Sequence, residues 1–174
     1  MSIIIYLSVM VFIVITDQIT KYLAVLNLKN IDTFPIIKDV IHFTYWENRG
    51  AAFGMLQNHR WVFMLVSTVV ICIIFFAMFK YQKYLHPLMM TGLSFCVGGG
   101  IGNMIDRVFN GFVVDFVDFT LIDFAIFNVA DTFVCIGVGL MILDLLLGKS
   151  NLDFLYGKKT KVAESDETAS DRPE

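Results

Sequence analysis

The chain has 174 residues, of which 57% are hydrophobic and 17% charged, and its formal net charge is −3 at pH 7. Soluble domains carry about 25% charged residues, and a fold this small hides only part of its surface from water. The composition therefore excludes a disordered chain, a nucleic-acid binder built on a basic face and most soluble enzymes, and it predicts a protein whose solvent is lipid.

Apolar segments in chain order predict four membrane-spanning helices, at about residues 3–26, 61–79, 88–106 and 124–147. Each is close to the roughly 20 residues that cross the hydrocarbon core of a bilayer. The first segment has no basic residue before it and no small-residue cleavage site after it, so we expect a retained helix rather than a signal peptide. Residues 1–148 would form the membrane domain.

Two of the three segments between the helices, residues 27–60 and 107–123, are expected on the outer side of the membrane. Apolar and polar residues alternate over residues 41–46, which predicts a short strand. The polar stretch 149–174 predicts a largely disordered cytoplasmic tail. Lysines in this tail and in the turn at 81–86 place both termini in the cytoplasm by the positive-inside rule.

Ionisable residues in or near the predicted helices indicate function, because charges are costly there. Asp17 and Lys21 are one helical turn apart and can pair. This pair fits either a structural ion pair or a direct contact with substrate. Asn48 and Gly50 begin a stretch of polar and small residues that fits either a tight turn or a peptide-binding site, because an Asn amide both donates and accepts hydrogen bonds.

The third helix ends in a glycine-rich stretch that carries polar residues. Gly98 and Gly102 form a small-x-x-x-small pair, which lets helices pack closely. Asn103 and Arg107 share one face, so Arg107 fits either a clamp on a carbonyl or phosphate group or a side chain that extends to the membrane interface. The stretch lacks the G-x-G-x-x-G pattern and a preceding strand, which excludes a dinucleotide site.

Two further carboxylates have apolar neighbours. Asp115 lies in the second outer segment, and Asp131 lies about two turns beyond Phe124, where the fourth helix is expected to begin. Two carboxylates held close together cannot both ionise, so one serves as acid and the other as base. Such a pair activates water for peptide hydrolysis. An ion-conducting carboxylate and a buried pair with Arg107 are the alternatives.

Other chemistries lack their residues. There is no H-E-x-x-H motif, and the three histidines form no ligand set. The three cysteines lie in apolar runs without a C-x-x-C pair, so they are expected to be small buried hydrophobic residues: Cys72, Cys96 and Cys135. We therefore expect no metal and no cofactor.

Five short motifs, taken in order, resemble those of the bacterial lipoprotein signal peptidases, the type II signal peptidase family. They are D-Q-x-x-K from Asp17, N-x-G-A-A-F-G from Asn48, G-N-x-x-D-R from Gly102, V-V-D-F from Val113 and F-N-x-A-D from Phe127. The match spans residues 17–131, and the helix pattern agrees with it.

The resemblance implies an all-α polytopic membrane protein with four transmembrane helices, a small extracytoplasmic β cradle and an outer loop at about 116–127. It implies an aspartyl endopeptidase that removes the signal peptide from prolipoproteins by cleaving before a diacylglyceryl-modified cysteine. Asp115 and Asp131 would be catalytic. The substrate-binding positions would be Asn48, Gly50, Asn103, Arg107 and Asn128. The supporting positions would be Asp17, Lys21 and Asp106.

The expected partners are diacylated prolipoproteins and membrane lipids, without nucleic acid, and the chain is expected to be a monomer. Its expected place is the bacterial cytoplasmic membrane, with the active site near the outer leaflet. The alternative function is a small proton-coupled carrier or channel that uses Asp17 and Asp131. A carrier predicts polar residues throughout several helices, whereas the second helix has only Ser67 and Thr68, which favours the peptidase. A structural assembly protein would leave the paired carboxylates unexplained.

Overall fold

The structure is a computed structural model, and it describes residues 2–31, 33–50 and 60–150. The part of the second motif at 51–54 and most of the predicted tail, residues 151–174, lie outside the described residues. Within those ranges the chain forms four long helices, α1 (Ile3–Leu28), α2 (Arg60–Lys80), α3 (Pro87–Phe109) and α4 (Val129–Leu146). All four are long and apolar enough to cross a membrane, as predicted.

A three-stranded antiparallel sheet joins the helices at one end. Its strands are β1 (Phe34–Ile37), β2 (Ile41–Asn48) and β3 (Val113–Asp118), in the order β1-β2-β3. The alternation over 41–46 correctly indicated β2. The register places Asn48 opposite Val113 and Trp46 opposite Asp115, so the end of β2 lies beside the first half of β3.

The fourth helix begins later than its apolar run suggested. The prediction placed its start at residue 124, but α4 starts at Val129, after the N-cap Asn128. The preceding residues are apolar yet extended, because the backbone of Phe127 pairs with that of Val117 at N···O distances of 2.8 and 3.0 Å. Asp131 is therefore the third residue of α4, and the expected position two turns inside the helix is wrong.

Helix α3 lies at the centre of the bundle and packs against the other three helices. Its glycines allow the close approach. Gly98 and Gly102 face α1, where an added Cβ would come within 3.0 Å of Ile13 and 2.5 Å of Asp17 respectively. Gly92 faces Gly137 of α4, where a Cβ would come within 2.7 Å of the opposing backbone oxygen. The small-residue pattern of α3 thus sets the helix spacing.

The two ends of the bundle differ. At one end, buried Tyr6, Met90 and neighbouring apolar residues pack together, and His86 Nδ1 lies 3.3 Å from Asp144 Oδ1. This end contains the start of α1 and the end of α4. The opposite end carries the sheet, which packs on the last turns of α1 through Leu28 and Phe116. The described chain therefore starts and finishes at the end away from the sheet.

The helix surfaces expose many large apolar side chains, most of all on α2, which is the least enclosed helix. Cys72 and Cys135 are also exposed, while Cys96 is half-buried. The prediction that all three cysteines are buried is thus wrong for two of them. The physical reason is that an apolar run in a small membrane bundle faces lipid or a cavity as often as protein.

Candidate active site

A cavity of about 570 Å³ opens where β3, the loop after it and the start of α4 meet the end of α3. Its wall combines a few polar side chains with many apolar ones. The polar residues in this wall are Asn48, Asn103, Arg107, Asp115, Asp131 and Thr132. Five of these were predicted from the sequence as site residues. A pocket with a few convergent polar groups in an apolar wall is the usual form of a ligand site.

Asp115 comes from β3 and is almost fully buried, at 1% exposure. Asn48, at the end of β2, donates from Nδ2 to Asp115 Oδ2 at 2.9 Å, and Asn128 donates from Nδ2 to Asp115 Oδ1 at 2.6 Å. Burial, followed by the charge of Asp131, raises the pKa of Asp115 to about 7. This carboxyl can therefore hold or release a proton near neutral pH.

Asp131 comes from the first turn of α4. Its Oδ1 accepts from Asn103 Nδ2 at 2.7 Å, and its Oδ2 accepts from the backbone N–H of Asn128 at 3.2 Å. The Asn128 side chain in turn accepts from the backbone N–H of Asp131 at 3.0 Å. This reciprocal capping box fixes the first turn of α4 and aims the Asp131 carboxyl at the cavity.

Asn128 joins the two carboxyl groups. Its Nδ2 donates to Asp115, while its backbone N–H and side-chain oxygen bind Asp131. Both carboxyl groups line the same cavity. The sequence offered a pair of these two aspartates as one of several interpretations, and it could not show that a single buried asparagine connects them.

A buried ion cluster lies behind the cavity. Lys21 Nζ lies 2.9 Å from Asp17 Oδ2 and 3.2 Å from Asp106 Oδ2, and all three side chains are at most 3% exposed. The other oxygen of Asp17 accepts from the N–H of Ala130 in α4, and Asp106 accepts from the N–H of Val114 in β3. The predicted Asp17–Lys21 pair is thus present, and neither residue lines the cavity.

Arg107 and Gly50 complete the predicted set. Arg107 lines the cavity, and its guanidinium lies over the ring of Phe63, 5.5 Å from the centroid. Among the described residues no ion pair within 4.0 Å joins Arg107 to a carboxylate, so the structure gives no support to the alternative of a buried pair with Asp115 or Asp131. Gly50 donates its N–H to Asn48 Oδ1 at 3.0 Å and so orients Asn48 instead of lining the cavity.

Sequence reasoning missed the apolar part of the wall. The loop after β3 contributes a ring stack of Phe119 on Phe127, with centroids 5.6 Å apart, and Phe124 packs edge-on against Phe127. Cys135, one turn after Asp131 on α4, also lines the cavity. The signal that could have indicated this wall is the dense run of apolar residues at 112–127 in a segment expected outside the membrane.

Two carboxyl groups held by asparagine amides inside a four-helix membrane bundle are features of a membrane aspartyl peptidase. The family model described as "Signal peptidase (SPase) II" matches residues 9–147. The chain belongs to this family.

The chain aligns with bacterial lipoprotein signal peptidases over nearly their whole length. The chain is 47% identical over 147 residues to a lipoprotein signal peptidase of Brevibacillus brevis, which covers 84% of this chain and 98% of the relative. It is 38% identical over 145 residues to one from Clostridioides difficile, covering 83% and 97%. Among solved structures it is similar to a bacterial membrane enzyme, with a TM-score of 0.76, 35% identity and coverage of 90% of this chain and 94% of that one.

Proposed function

We propose that this chain is a membrane aspartyl endopeptidase that removes signal peptides from prolipoproteins, with Asp115 and Asp131 as its catalytic pair. The observation that carries the proposal is that both carboxyl groups line one cavity and both are bound by Asn128. Family membership supports the same reaction, and the name of the relatives, lipoprotein signal peptidase, implies prolipoprotein substrates.

The reaction needs only the two carboxyl groups and water. Asp115 holds a proton at the start, consistent with its pKa of about 7, and Asp131 is the carboxylate. As the water oxygen attacks the peptide carbonyl carbon, Asp131 takes a proton from the water and Asp115 gives its proton to the carbonyl oxygen. The product of this step is a neutral gem-diol.

Collapse of the gem-diol restores the enzyme. Asp131 donates its proton to the departing nitrogen, the C–N bond breaks, and a hydroxyl proton of the gem-diol returns to Asp115. The products are a carboxylic acid and an amine, and both aspartates regain their starting states. The amide donors of Asn48, Asn103 and Asn128 keep the two carboxyl groups in place throughout.

The wall of the cavity suits a lipid-modified substrate. Its apolar side chains offer a surface for acyl chains and for the apolar signal peptide, while Arg107, Asn48 and Asn103 are available to bind the peptide backbone. Cleavage would fall just before a cysteine that carries diacylglycerol, because the lipid holds that cysteine at the membrane interface.

The proposed topology follows from the need for water. Water is scarce in the hydrocarbon core, so the cavity would lie near a membrane surface, and we place it at the outer leaflet with both termini in the cytoplasm. The positive-inside rule supports this orientation through Lys80 and Lys83 at the opposite end. The working unit would be a monomer, because one chain supplies both carboxyl groups. The topology can be tested with reporter enzymes fused after the C-terminus. A reporter that is active only in the cytoplasm should be active, and a reporter that is active only outside the cytoplasm should be inactive.

The purified chain in detergent, incubated with a diacylated prolipoprotein, should give a shortened product. Asp115→Asn and Asp131→Asn should each lower the rate at least about 1,000-fold, because an amide neither takes a proton from water nor shares one. Asp118→Asn and Asp123→Asn are matched controls outside the cavity wall and should retain activity. Full cleavage by either variant of the pair would contradict the assignment, and a carrier would give no product with any protein.

A further inference from the structure

The single buried lysine of the ion cluster reaches toward the catalytic pair. Besides Asp17 and Asp106, Lys21 Nζ donates to Asn103 Oδ1 at 2.8 Å. An ammonium has three donors and no acceptor, so these three oxygens satisfy Lys21 fully. Lys21 therefore connects α1 to the asparagine that binds Asp131.

The polarity of Asn103 depends on this contact. The two ends of an asparagine amide have nearly the same shape, so hydrogen-bond partners decide which end faces which way. Because Lys21 only donates, Asn103 turns its oxygen to Lys21 and its nitrogen to Asp131. A reversed amide would direct a carbonyl oxygen at the Asp131 carboxylate and would remove the hydrogen bond.

Asn103 has a second, weaker constraint. Its oxygen also accepts from Asn128 Nδ2 at 3.1 Å, and the polarity of Asn128 is itself fixed by the N–H of Asp131. The contact with Lys21 is shorter and carries a full charge, and charge-assisted hydrogen bonds are about twice as strong as neutral ones. Lys21 therefore supplies the stronger of the two contacts that orient Asn103.

We propose that Lys21 is a positioning residue that acts through Asn103: its ammonium holds the Asn103 amide so that the nitrogen donates to Asp131 and keeps that carboxyl aimed into the cavity. The inference rests on the proposed function of the Asp115–Asp131 pair. Lys21 does not itself line the cavity, and it donates a hydrogen bond to one lining residue, Asn103, so we expect its effect on the chemical step and not on substrate contact.

The charge of Lys21 also has a measurable effect on the pair. The ammonium lowers the pKa of Asp115, against the larger raising effects of burial and Asp131. Removing the charge therefore raises the pKa of Asp115. Among the described residues, the charged groups that face Lys21 are Asp17 on α1 and Asp106 on α3, and its charge also acts on Asp115 of β3 and Asp131 of α4.

The test compares Lys21→Gln with wild type in the prolipoprotein cleavage assay, per folded molecule. The glutamine amide presents either end to Asn103 and carries no charge. We expect kcat to fall about 10- to 100-fold, by analogy with residues that orient metal ligands, while KM stays within about twofold. The limb of the pH–rate profile assigned to Asp115 should move to higher pH. A residue that only stabilises the fold would change the amount of folded enzyme but not this profile.

A second variant covers the case in which Lys21→Gln fails to fold because Asp17 has lost its cation. In Lys21→Gln combined with Asp17→Asn, the two amides can pair, and the side-chain oxygen kept at position 17 can still accept from the N–H of Ala130. The same fall in kcat is expected, with a smaller shift of the profile, because the charge of Asp17 is removed together with that of Lys21. Lys29→Gln, which removes an exposed partner of Glu47, is the control and should behave as wild type.

The outcomes separate the two proposals. If wild type gives no product, the proposed function fails, whatever Lys21 does. If wild type cleaves and a folded Lys21 variant keeps the wild-type kcat and pH profile, the positioning role is wrong and the function stands. If neither Lys21 variant folds, the positioning role is also wrong, because Lys21 then serves the fold itself.

Discussion

The carboxyl group of Asp115 is bound on both oxygens by amide donors, yet burial and the charge of Asp131 outweigh these donors and raise its pKa to about 7. Two amide contacts thus hold the position of the group without making it a permanent anion. The catalytic role proposed for Asp115 needs a fixed position together with a proton that exchanges near the working pH.

The raised pKa of Asp115 predicts a pH-dependent cost in stability. Because folding raises this pKa, the folded state is favoured while Asp115 is protonated. The contribution of Asp115 to the free energy of unfolding is therefore complete below the pKa of the unfolded chain and is lost as pH rises through about 7. Asp115→Asn has no charge to bury. The free energy of unfolding of this variant, relative to that of wild type, should therefore rise by about 2–3 kcal/mol between pH 5 and pH 8.5. Thermal unfolding in detergent at both pH values measures the gain, and an equal difference at both would contradict it.

Cys135 gives a second prediction at this scale, and it depends on the finding that this cysteine is not buried as the sequence suggested. The thiol is exposed and lines the cavity one turn from Asp131. A bulky, membrane-permeant maleimide should therefore block substrate entry and inhibit cleavage of prolipoprotein. Cys135→Ala should be resistant, while Cys72→Ala, on α2, should be inhibited like wild type. Inhibition of Cys135→Ala would locate the sensitive thiol elsewhere.

The elements that carry the aspartates are held by contacts far apart in sequence. Asp17 of α1 binds the first turn of α4, and Asp106 of α3 binds the backbone of β3. Because both carboxylates also bind Lys21, one lysine links the anchors of the strand that carries Asp115 and the helix that carries Asp131. Element positions and site geometry are thus set by the same cluster.

The contact between α3 and α4 is the most sensitive to side-chain size. A Cβ on Gly137 would lie 2.7 Å from the backbone oxygen of Gly92, whereas a Cβ on Gly139 would meet nothing within 4 Å. Gly137→Ala should lower the unfolding temperature and the cleavage rate, because backbone must shift. Gly139→Ala should be neutral or raise stability by up to about 1 kcal/mol through helix propensity. Equal behaviour of the two variants in thermal unfolding would contradict the close packing.

The sequence predicted the presence of the helices more accurately than their end points. Runs of apolar residues were sufficient for α1, α2 and α3, because lipid requires them. The start of α4 was misplaced since apolarity does not distinguish a helix from an extended stretch that packs against a strand. The available signal was local: Asn128 and Asp131 have the spacing of a capping box.

Some contacts of the site could not be predicted from the sequence, for a different reason. Asp17 and Lys21 are one turn apart, so their pairing could be predicted. The contact of Lys21 with Asp106 and Asn103 joins residues more than 80 positions apart, and no spacing rule in one sequence indicates such a contact. The five motifs brought these residues together only through resemblance to a family.

At the scale of the whole molecule, the family match ends at residue 147 and the described helices end at Leu146. We therefore predict that residues 1–148 form the working domain. A chain truncated after Ser150 keeps the contact between Ser150 Oγ and the N–H of His86, and it should cleave prolipoprotein within about twofold of the full chain, since the removed residues lie beyond the part of the chain that matches the family. A large loss of rate in a folded truncated chain would assign the tail a role in catalysis.

The order in which the helices are synthesised gives the ion cluster another consequence. A ribosome releases α1 first and α4 last. Asp131 and Thr132, both on α4, are therefore the last polar side chains of the cavity wall to emerge. Until α4 inserts, Asp17 lacks the Ala130 N–H that it binds in the folded chain, and Asp115 lacks its partner. With Asp115 and Asp131 as the proposed catalytic pair, a nascent chain therefore carries no functional peptidase, and hydrolytic activity would begin only when the last helix has joined the bundle.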